Sequence, residues 1–200
     1  SNKVSLINLK QECATGLGDK RYWGIMASNQ CKNFYIDGCY MNRFDSHRGF
    51  WNAVIKNSTI GHSINITGGG HLYMENVTKL TGDDMIFLRG DYGSSFDGDV
   101  YFTNCTLEAY QTYNSDLGQD LNTKSVYQNV TIIQTQFQAT DHYLDWGFGY
   151  PCSLPHNVVF DNFTCLSTEV YVFSALGDKA FEEGHANTYE NCRSITFKYR

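Results

Sequence analysis

The stretch "RFDSHRG" at residues 43–49 concentrates side chains that could carry out acid–base chemistry. Asp45 and His47 are two positions apart, and Arg48 follows directly. A carboxyl group and an imidazole can each exchange a proton with a substrate, and a guanidinium can hold a substrate carboxylate by paired hydrogen bonds. Asp45 and His47 are therefore candidate catalytic groups, and Arg48 is a candidate substrate-binding group.

A second set of such groups lies further along the chain. "GH" supplies His62, and "GDD" supplies Asp83 and Asp84. Two adjacent carboxyl groups can share one proton, which raises the pKa of one of them and suits it to act as an acid. His62, Asp83 and Asp84 are further catalytic candidates.

The elements that would position these groups are short, repeated strands. "KNFYIDGCYM", "NAVIKNSTIG", "HLYMENVTKL", "DVYFTNCTLE" and "NVVFDNFTCL" each alternate apolar and polar residues before reaching Asn or Gly. Alternation with a period of two is the pattern of a strand. Asn and Gly suit a turn with a left-handed backbone conformation. The chain is therefore predicted to be all-β.

The spacing between the copies indicates how the strands are arranged. The step is 19 residues from Gly38 to Asn57 and from Asn57 to Asn76, and 28 residues from Asn76 to Asn104. A fixed minimum step with variable insertions is typical of a solenoid, in which each turn needs about three short strands and insertions leave at the corners. We predict a parallel β-helix.

The repeat also contains Asn-x-Ser/Thr motifs, which in a secreted eukaryotic protein would suggest glycosylation. They start at Asn57, Asn65, Asn76, Asn104, Asn129 and Asn162. Most of them fall at the turn or the start of a repeat unit. There the Asn side chains can hydrogen-bond to one another along the stack, as in the Asn ladders of stacked strands. A structural ladder is the prediction.

Stacking sets the expected distance between the candidate carboxyl groups. When the repeats are aligned on Cys39, Ser58 and Val77, Asp45 and Asp83 occupy equivalent positions two turns apart. At about 4.8 Å per turn, they would be about 9.6 Å apart. That separation is near the upper end of the range used by inverting glycosidases.

The alternative interpretation of Asp45 is structural. Polar turn residues can cap strands and pair with a neighbouring cation, here Arg43, Arg48 or Arg89. Arg89 is also a candidate for binding a substrate carboxylate. The sequence leaves both interpretations open.

Aromatic residues gather in "DHYLDWGFGYPC" at residues 141–152. Exposed aromatic rings can stack on sugars, whereas buried ones fill a core. Trp146 and Tyr150 are therefore candidate substrate-binding residues, with a packed structural loop as the alternative.

The acidic loop "RGDYGSSFDGD" offers the strongest candidate metal ligands. Asp91, Asp97 and Asp99 could provide oxygen ligands to Ca²⁺, although the spacing is not that of an EF-hand. An acidic turn is more often simply solvated. We expect no cofactor, with calcium at this loop as the alternative.

Composition narrows the class of protein. The 200 residues are 42% hydrophobic and 18% charged, as expected of a globular chain. The net charge of −6, without a run of Lys or Arg, argues against a nucleic-acid partner. No apolar run approaches the roughly 18 residues that cross a bilayer, so we expect no membrane insertion. Seven cysteines without a CxxC pair predict mostly free, buried thiols and no metal site.

Longer motifs give the chain a recognisable character. They are "RYWGIMASNQCKNFYIDGCYMNRFDSHRGFWNAVIKNSTIG", "INITGGG", "MIFLRGDYGSSFDGD" and "DWGFGYPCSLPHNVVFDNFTC", which together span roughly residues 21–165. In these motifs the chain resembles right-handed parallel β-helix proteins of the pectin/pectate-lyase superfamily. More narrowly, it is similar to phage minor structural or tail proteins and related proteins of Firmicutes. It departs from that group in "FLRGDYG" and after residue 166.

The resemblance implies several functions. Proteins of this kind form virion fibres or spikes, frequently homotrimeric, or act on polysaccharides outside the cell. We expect one domain over 1–200, excised from a larger protein, with diverged turns over 166–200. The favoured prediction is a tail-fibre segment that recognises a cell-surface or environmental polysaccharide. A glycoside hydrolase or polysaccharide lyase using Asp45 with Asp83 or Asp84, and a purely structural shaft, are the alternatives.

Overall fold

The chain folds as two parallel β-sheets that alternate along the sequence. The computed structural model describes residues 3–17, 25–27, 32–46, 51–67, 71–80, 86–89, 98–107, 110–112, 129–137, 144–146, 156–165 and 193–200. Across these segments every regular element is a strand, as the alternating pattern predicts. None of the described residues belongs to a helix able to cross a membrane.

The first sheet consists of one short strand from each turn of the coil, in sequence order and parallel throughout. Its strands are β1 (Lys3–Ile7), β3 (Asn33–Asp37), β5 (Asn52–Lys56), β7 (His71–Glu75), β10 (Val100–Thr103), β13 (Asn129–Ile133), β16 (Asn157–Asp161) and β18 (Ser194–Lys198). Within the described residues this gives eight strands. The in-register stacking of successive repeats is that of a parallel β-helix.

The remaining strands form the second sheet, which is also parallel. They are β2 (Ile25–Ala27), β4 (Tyr40–Ser46), β6 (Thr59–Thr67), β8 (Thr78–Lys79), β9 (Ile86–Arg89), β11 (Thr106–Leu107), β12 (Tyr110–Thr112), β14 (Gln136–Phe137), β15 (Leu144–Trp146) and β17 (Thr164–Cys165). The long strand β6 pairs with both β8 and β9. The turn of the coil that contains β7, β8 and β9 has the three short strands expected. In the preceding turn, the single strand β6 takes the place of the second and third strands, because it pairs with both β8 and β9.

The core is made of the inward-facing residues of each strand. In the first sheet, alternate residues form two columns that run through the interior, and the intervening residues face outward. One column contains Phe34, Ala53, Leu72, Val100, Val130 and Val158, and the other contains Ile36, Ile55, Met74, Phe102, Ile132 and Phe160, all buried. Full burial of each large apolar side chain contributes about 1.5–3 kcal/mol. The repeat is therefore held together by stacking identical positions.

In every described repeat, the residue at the turn between the two sheets has a left-handed backbone conformation. The residues with positive φ there are Asn8, Gly38, Asn57, Asn76, Asn104, Gln134 and Asn162. The Nδ2 of Asn76 donates to the Oδ1 of Asn57 at 3.0 Å, and the Nδ2 of Asn104 donates to the Oδ1 of Asn76 at 2.7 Å. The predicted asparagine ladder is confirmed.

A second polar row begins the strands of the first sheet. The Nδ2 of Asn52 donates to the Oδ1 of Asn33 at 2.8 Å, and the Nδ2 of Asn157 donates to the Oδ1 of Asn129 at 2.9 Å. The two ladders lie at opposite ends of the same strands. Their hydrogen bonds join successive turns of the coil at both ends of the strands and fix the register of the sheet.

Three cysteines have described side chains, and all three are free thiols, which agrees with the prediction of mostly free cysteines. Cys39 and Cys105 are buried next to the turn, and Cys13 is partly exposed. Small apolar side chains suit that corner because it is crowded by the turns above and below.

Candidate functional site

Asp45 lies on β4 and is held by an arginine of the same strand. Its side chain is buried, with 6% of the residue exposed. The Nη2 of Arg43 donates to the Oδ2 of Asp45 at 3.0 Å. Residues two apart on a strand share a face, so the pair forms without any special backbone conformation. This is one of the pairings that the structural interpretation of Asp45 predicts.

The predicted equivalence of Asp45 and Asp83 depends on aligning Asp45 with Ile64, and that alignment is wrong. The alignment on Cys39 and Ser58 holds, but β6 carries an extra residue opposite the step between Met41 and Arg43. This irregularity brings Asp45 into register with Asn65. The position one turn further on is Phe87, and Asp83 itself lies outside the described residues.

Polar residues also occupy the interior next to this irregularity. Asn42 is fully buried, and its backbone amide donates to the Oε1 of Gln11 at 2.8 Å. The predicted catalytic residue His62 is likewise buried, with 4% exposed. Lys79 is fully buried beside Ile60. Strand alternation in "VTKL" places Lys79 on the same inward face as Val77, so the burial of Lys79 could be predicted from the sequence.

Two predicted substrate-binding residues lie on the same sheet as Asp45. Arg89 ends β9 and Trp146 ends β15. In the strand register, Trp146 is aligned with Thr112, and Thr112 is aligned with Leu88. Trp146 therefore lies one residue position before that of Arg89 in the sheet. The predicted residues His47, Arg48, Asp84 and Tyr150 lie outside the described residues.

The calcium alternative rests on residues that the structure describes only in part. Asp91 and Asp97 lie outside the described segments. The Oδ1 of Asp99 accepts from the backbone amide and the Nδ2 of Asn129, at 2.8 and 3.0 Å. Within the described segments, no group of three or more His, Cys, Asp or Glu is placed to hold a metal ion. Asp99 therefore serves the polar row at the start of the first sheet.

A groove on the outer face of the first sheet was not anticipated from the sequence. We call it the tyrosine groove. Its volume is about 400 Å³ and it crosses β5, β7 and β10. Its lining includes Val54, Lys56, Tyr73, Glu75, Tyr101 and Thr103. The signal was present in the aligned repeats, because Tyr73 and Tyr101 are the central, outward-facing residues of "HLYME" and "DVYFT".

Two tyrosines form the wall of the groove. The rings of Tyr73 and Tyr101 are stacked, with centroids 4.9 Å apart and planes 4° apart. Burial and the nearby Tyr101 and Asp99 raise the pKa of Tyr73, so its phenol stays protonated well above neutral pH. Tyr73 remains 38% exposed. The wall is thus an aromatic surface with hydroxyl groups at its edge.

An ion pair forms the polar rim of the groove. The Nζ of Lys56 lies 2.6 Å from the Oε2 of Glu75. The hydrogen bond to Glu75 raises the pKa of Lys56, which keeps the ammonium charged. The groove therefore combines an aromatic wall, a donor and an acceptor with no net charge from this pair.

The fold and these surfaces define a parallel β-helix protein with long, repetitive lateral faces. Over 97 residues the chain is 28% identical to a protein of a Klebsiella phage described as "Depolymerase, capsule KL64-specific". The match covers 42% of this chain and 10% of that protein, so the matched stretch spans only about a tenth of its relative's length. No protein-family model matches the chain, and no solved structure matches it significantly.

Proposed function

We propose that the chain is a segment of a phage protein that recognises a bacterial surface polysaccharide, acting on the virion or outside the cell. The similarity to the capsule-specific depolymerase carries this proposal. The fold supports it physically. A parallel β-helix presents the same outward position every turn, about 4.8 Å apart, so a polymer with a repeating unit can meet a repeating set of side chains. A homotrimer stays a prediction from the resemblance alone.

Binding to purified polysaccharide tests the proposal. The chain is passed over immobilised capsular polysaccharides from a panel of bacterial strains, KL64 among them, with dextran as the control surface. We expect saturable binding to at least one capsule and none to dextran. A chain that binds no member of the panel, or binds all surfaces equally, contradicts recognition and leaves the structural shaft as the better interpretation.

Cleavage of the polysaccharide is the second candidate, and the name of the relative favours it. Asp45 with Asp83 or Asp84 would supply the acid and base of a hydrolase or lyase. Asp45 is buried and paired with Arg43, which ranks recognition above cleavage. Release of reducing or unsaturated ends that is lost in Asp83→Asn supports cleavage by that carboxylate. Product formation that persists in Asp83→Asn and in Asp45→Asn contradicts this assignment of the catalytic residues.

A further inference from the structure

We propose that the tyrosine groove binds an uncharged stretch of polysaccharide, with one sugar ring stacked on Tyr73 above Val54. The inference rests on the proposed function and adds to it a site, a ligand chemistry and an orientation. The site lies on the first sheet, whereas the predicted catalytic residues Asp45 and His62 lie on strands of the second sheet.

The open face of Tyr73 is the central feature of the site. Tyr73 lies between Val54 and Tyr101 in the outward column of the first sheet. One face of its ring is covered by Tyr101, at 4.9 Å between centroids. The opposite face is therefore turned toward Val54, whose short side chain leaves space above it. A flat aromatic face beside a small residue is the shape that accepts the C–H face of a sugar ring.

The dimensions of the groove suit a short stretch of polymer. Its volume of about 400 Å³ lies within the range of about 300–1,000 Å³ that is usual for small-ligand sites. It crosses three adjacent strands, so it extends along the axis of the coil rather than around it. A polymer lying in it would run parallel to the axis and meet one strand after another.

The polar groups favour an uncharged sugar. Lys56 and Glu75 are partly exposed, at 37% and 48% of their side chains, and hold each other at 2.6 Å. They offer a donor and an acceptor for sugar hydroxyls, while Glu75 neutralises the charge of Lys56. Thr103 adds a hydroxyl group at the other end. A nucleic acid, whose bases would also stack on tyrosine, needs a positive groove and finds none in these residues.

A stacked tyrosine pair also stabilises a sheet, by about 0.5–1.5 kcal/mol beyond its buried area. The test must separate that role from binding. Val54→Phe does so, because it fills the space above Tyr73 without removing the aromatic wall. Since it adds a ring to the column, we expect its melting temperature to be equal to or higher than that of the native chain.

The experiment measures affinity for whichever capsular polysaccharide of the panel binds the native chain, together with thermal unfolding. Tyr73→Ala and Val54→Phe should each weaken binding about tenfold or more, whereas Tyr73→Phe should stay within about threefold by the same reasoning. Tyr40→Ala is the matched control: Tyr40 is 39% exposed, against 38% for Tyr73, but lies on the second sheet. Its affinity should be unchanged.

Each contrary result has a distinct meaning. If the native chain binds and both Tyr73→Ala and Val54→Phe bind equally well, the groove assignment is overturned and the proposed function stands. The assignment is also overturned if Tyr40→Ala loses as much affinity as Tyr73→Ala. A change of oligomeric state in Val54→Phe by light scattering, with affinity intact, would make the groove an interface between copies of the chain. A native chain that binds no capsule overturns both proposals.

Discussion

Asn76 and Asn57 are joined side chain to side chain, Nδ2 to Oδ1 at 3.0 Å, and both have a left-handed backbone, with φ of 54° and 47°. Asn104 continues the row by donating to Asn76 at 2.7 Å. Asn is one of the few residues that adopt this conformation readily. One residue type therefore satisfies two requirements of the turn, the backbone angle and the bond to the neighbouring turn.

Replacing Asn76 separates these two requirements. Asn76→Ala should lower the free energy of unfolding by about 2–3 kcal/mol, because it strains the left-handed backbone and removes both ladder bonds. Asn76→Gly removes the bonds but tolerates the backbone angle, and should cost about 1–2 kcal/mol. Urea unfolding followed by tryptophan fluorescence measures both. Equal losses in the two variants would mean that the backbone angle contributes nothing.

Gly38 replaces asparagine in the same row for a steric reason. Its φ is 63°, and a Cβ added there would overlap the Oδ1 of Asn8 one turn below. Gly38→Ala should therefore cost about 2–4 kcal/mol, from strain and overlap together. In an Asn8→Gly background the overlap is gone, and the same change should cost about 1–2 kcal/mol. A double-mutant cycle by urea unfolding gives the difference; strictly additive costs would contradict the steric explanation.

The fold could be predicted because its signals are local and repeated. Period-two alternation gives the strands, Asn57 and Asn76 mark the left-handed turns, and their 19-residue step gives the length of one turn. Each copy of the pattern independently supports the same conclusion. The asparagine ladder follows from the same alignment.

The candidate site was less predictable because it depends on register beyond an irregularity. Strand alternation is exact only while no residue is inserted, and a shift of one position turns a side chain to the other face. The extra residue in β6 leaves no mark in the composition of the strand, so Asp45 aligned with Ile64 instead of Asn65. The aromatic wall of the tyrosine groove could have been predicted from the alignment of Tyr73 with Tyr101 alone, and the repeats contain that alignment.

The pairing of Arg43 with Asp45 predicts a specific pattern of stability losses. Only 18% and 8% of their side chains are exposed, so removing one partner leaves a poorly solvated charge. Asp45→Ala and Arg43→Ala should each cost about 3 kcal/mol. The double replacement should cost clearly less than the sum, giving a coupling energy of about 1 kcal/mol or more in a double-mutant cycle. Losses below about 0.5 kcal/mol for both single changes would instead be typical of a surface pair.

The buried thiol of Cys105 predicts a loss of stability at alkaline pH. Burial raises its pKa from 9.0 to about 11, so between these values the unfolded chain releases a proton that the folded chain keeps. The free energy of unfolding is unaffected below about pH 9 and should fall by up to about 1.4 kcal/mol per pH unit between pH 9 and 11. Tyr73 and Lys56, whose pKa values are also raised, add to the fall.

Cys105→Ala should therefore reduce the loss of stability between pH 9 and 11 without abolishing it. Urea unfolding at pH 8, 9.5 and 11 on both proteins measures the slope; identical slopes would show that Cys105 is deprotonated as readily in the folded chain as in the unfolded one.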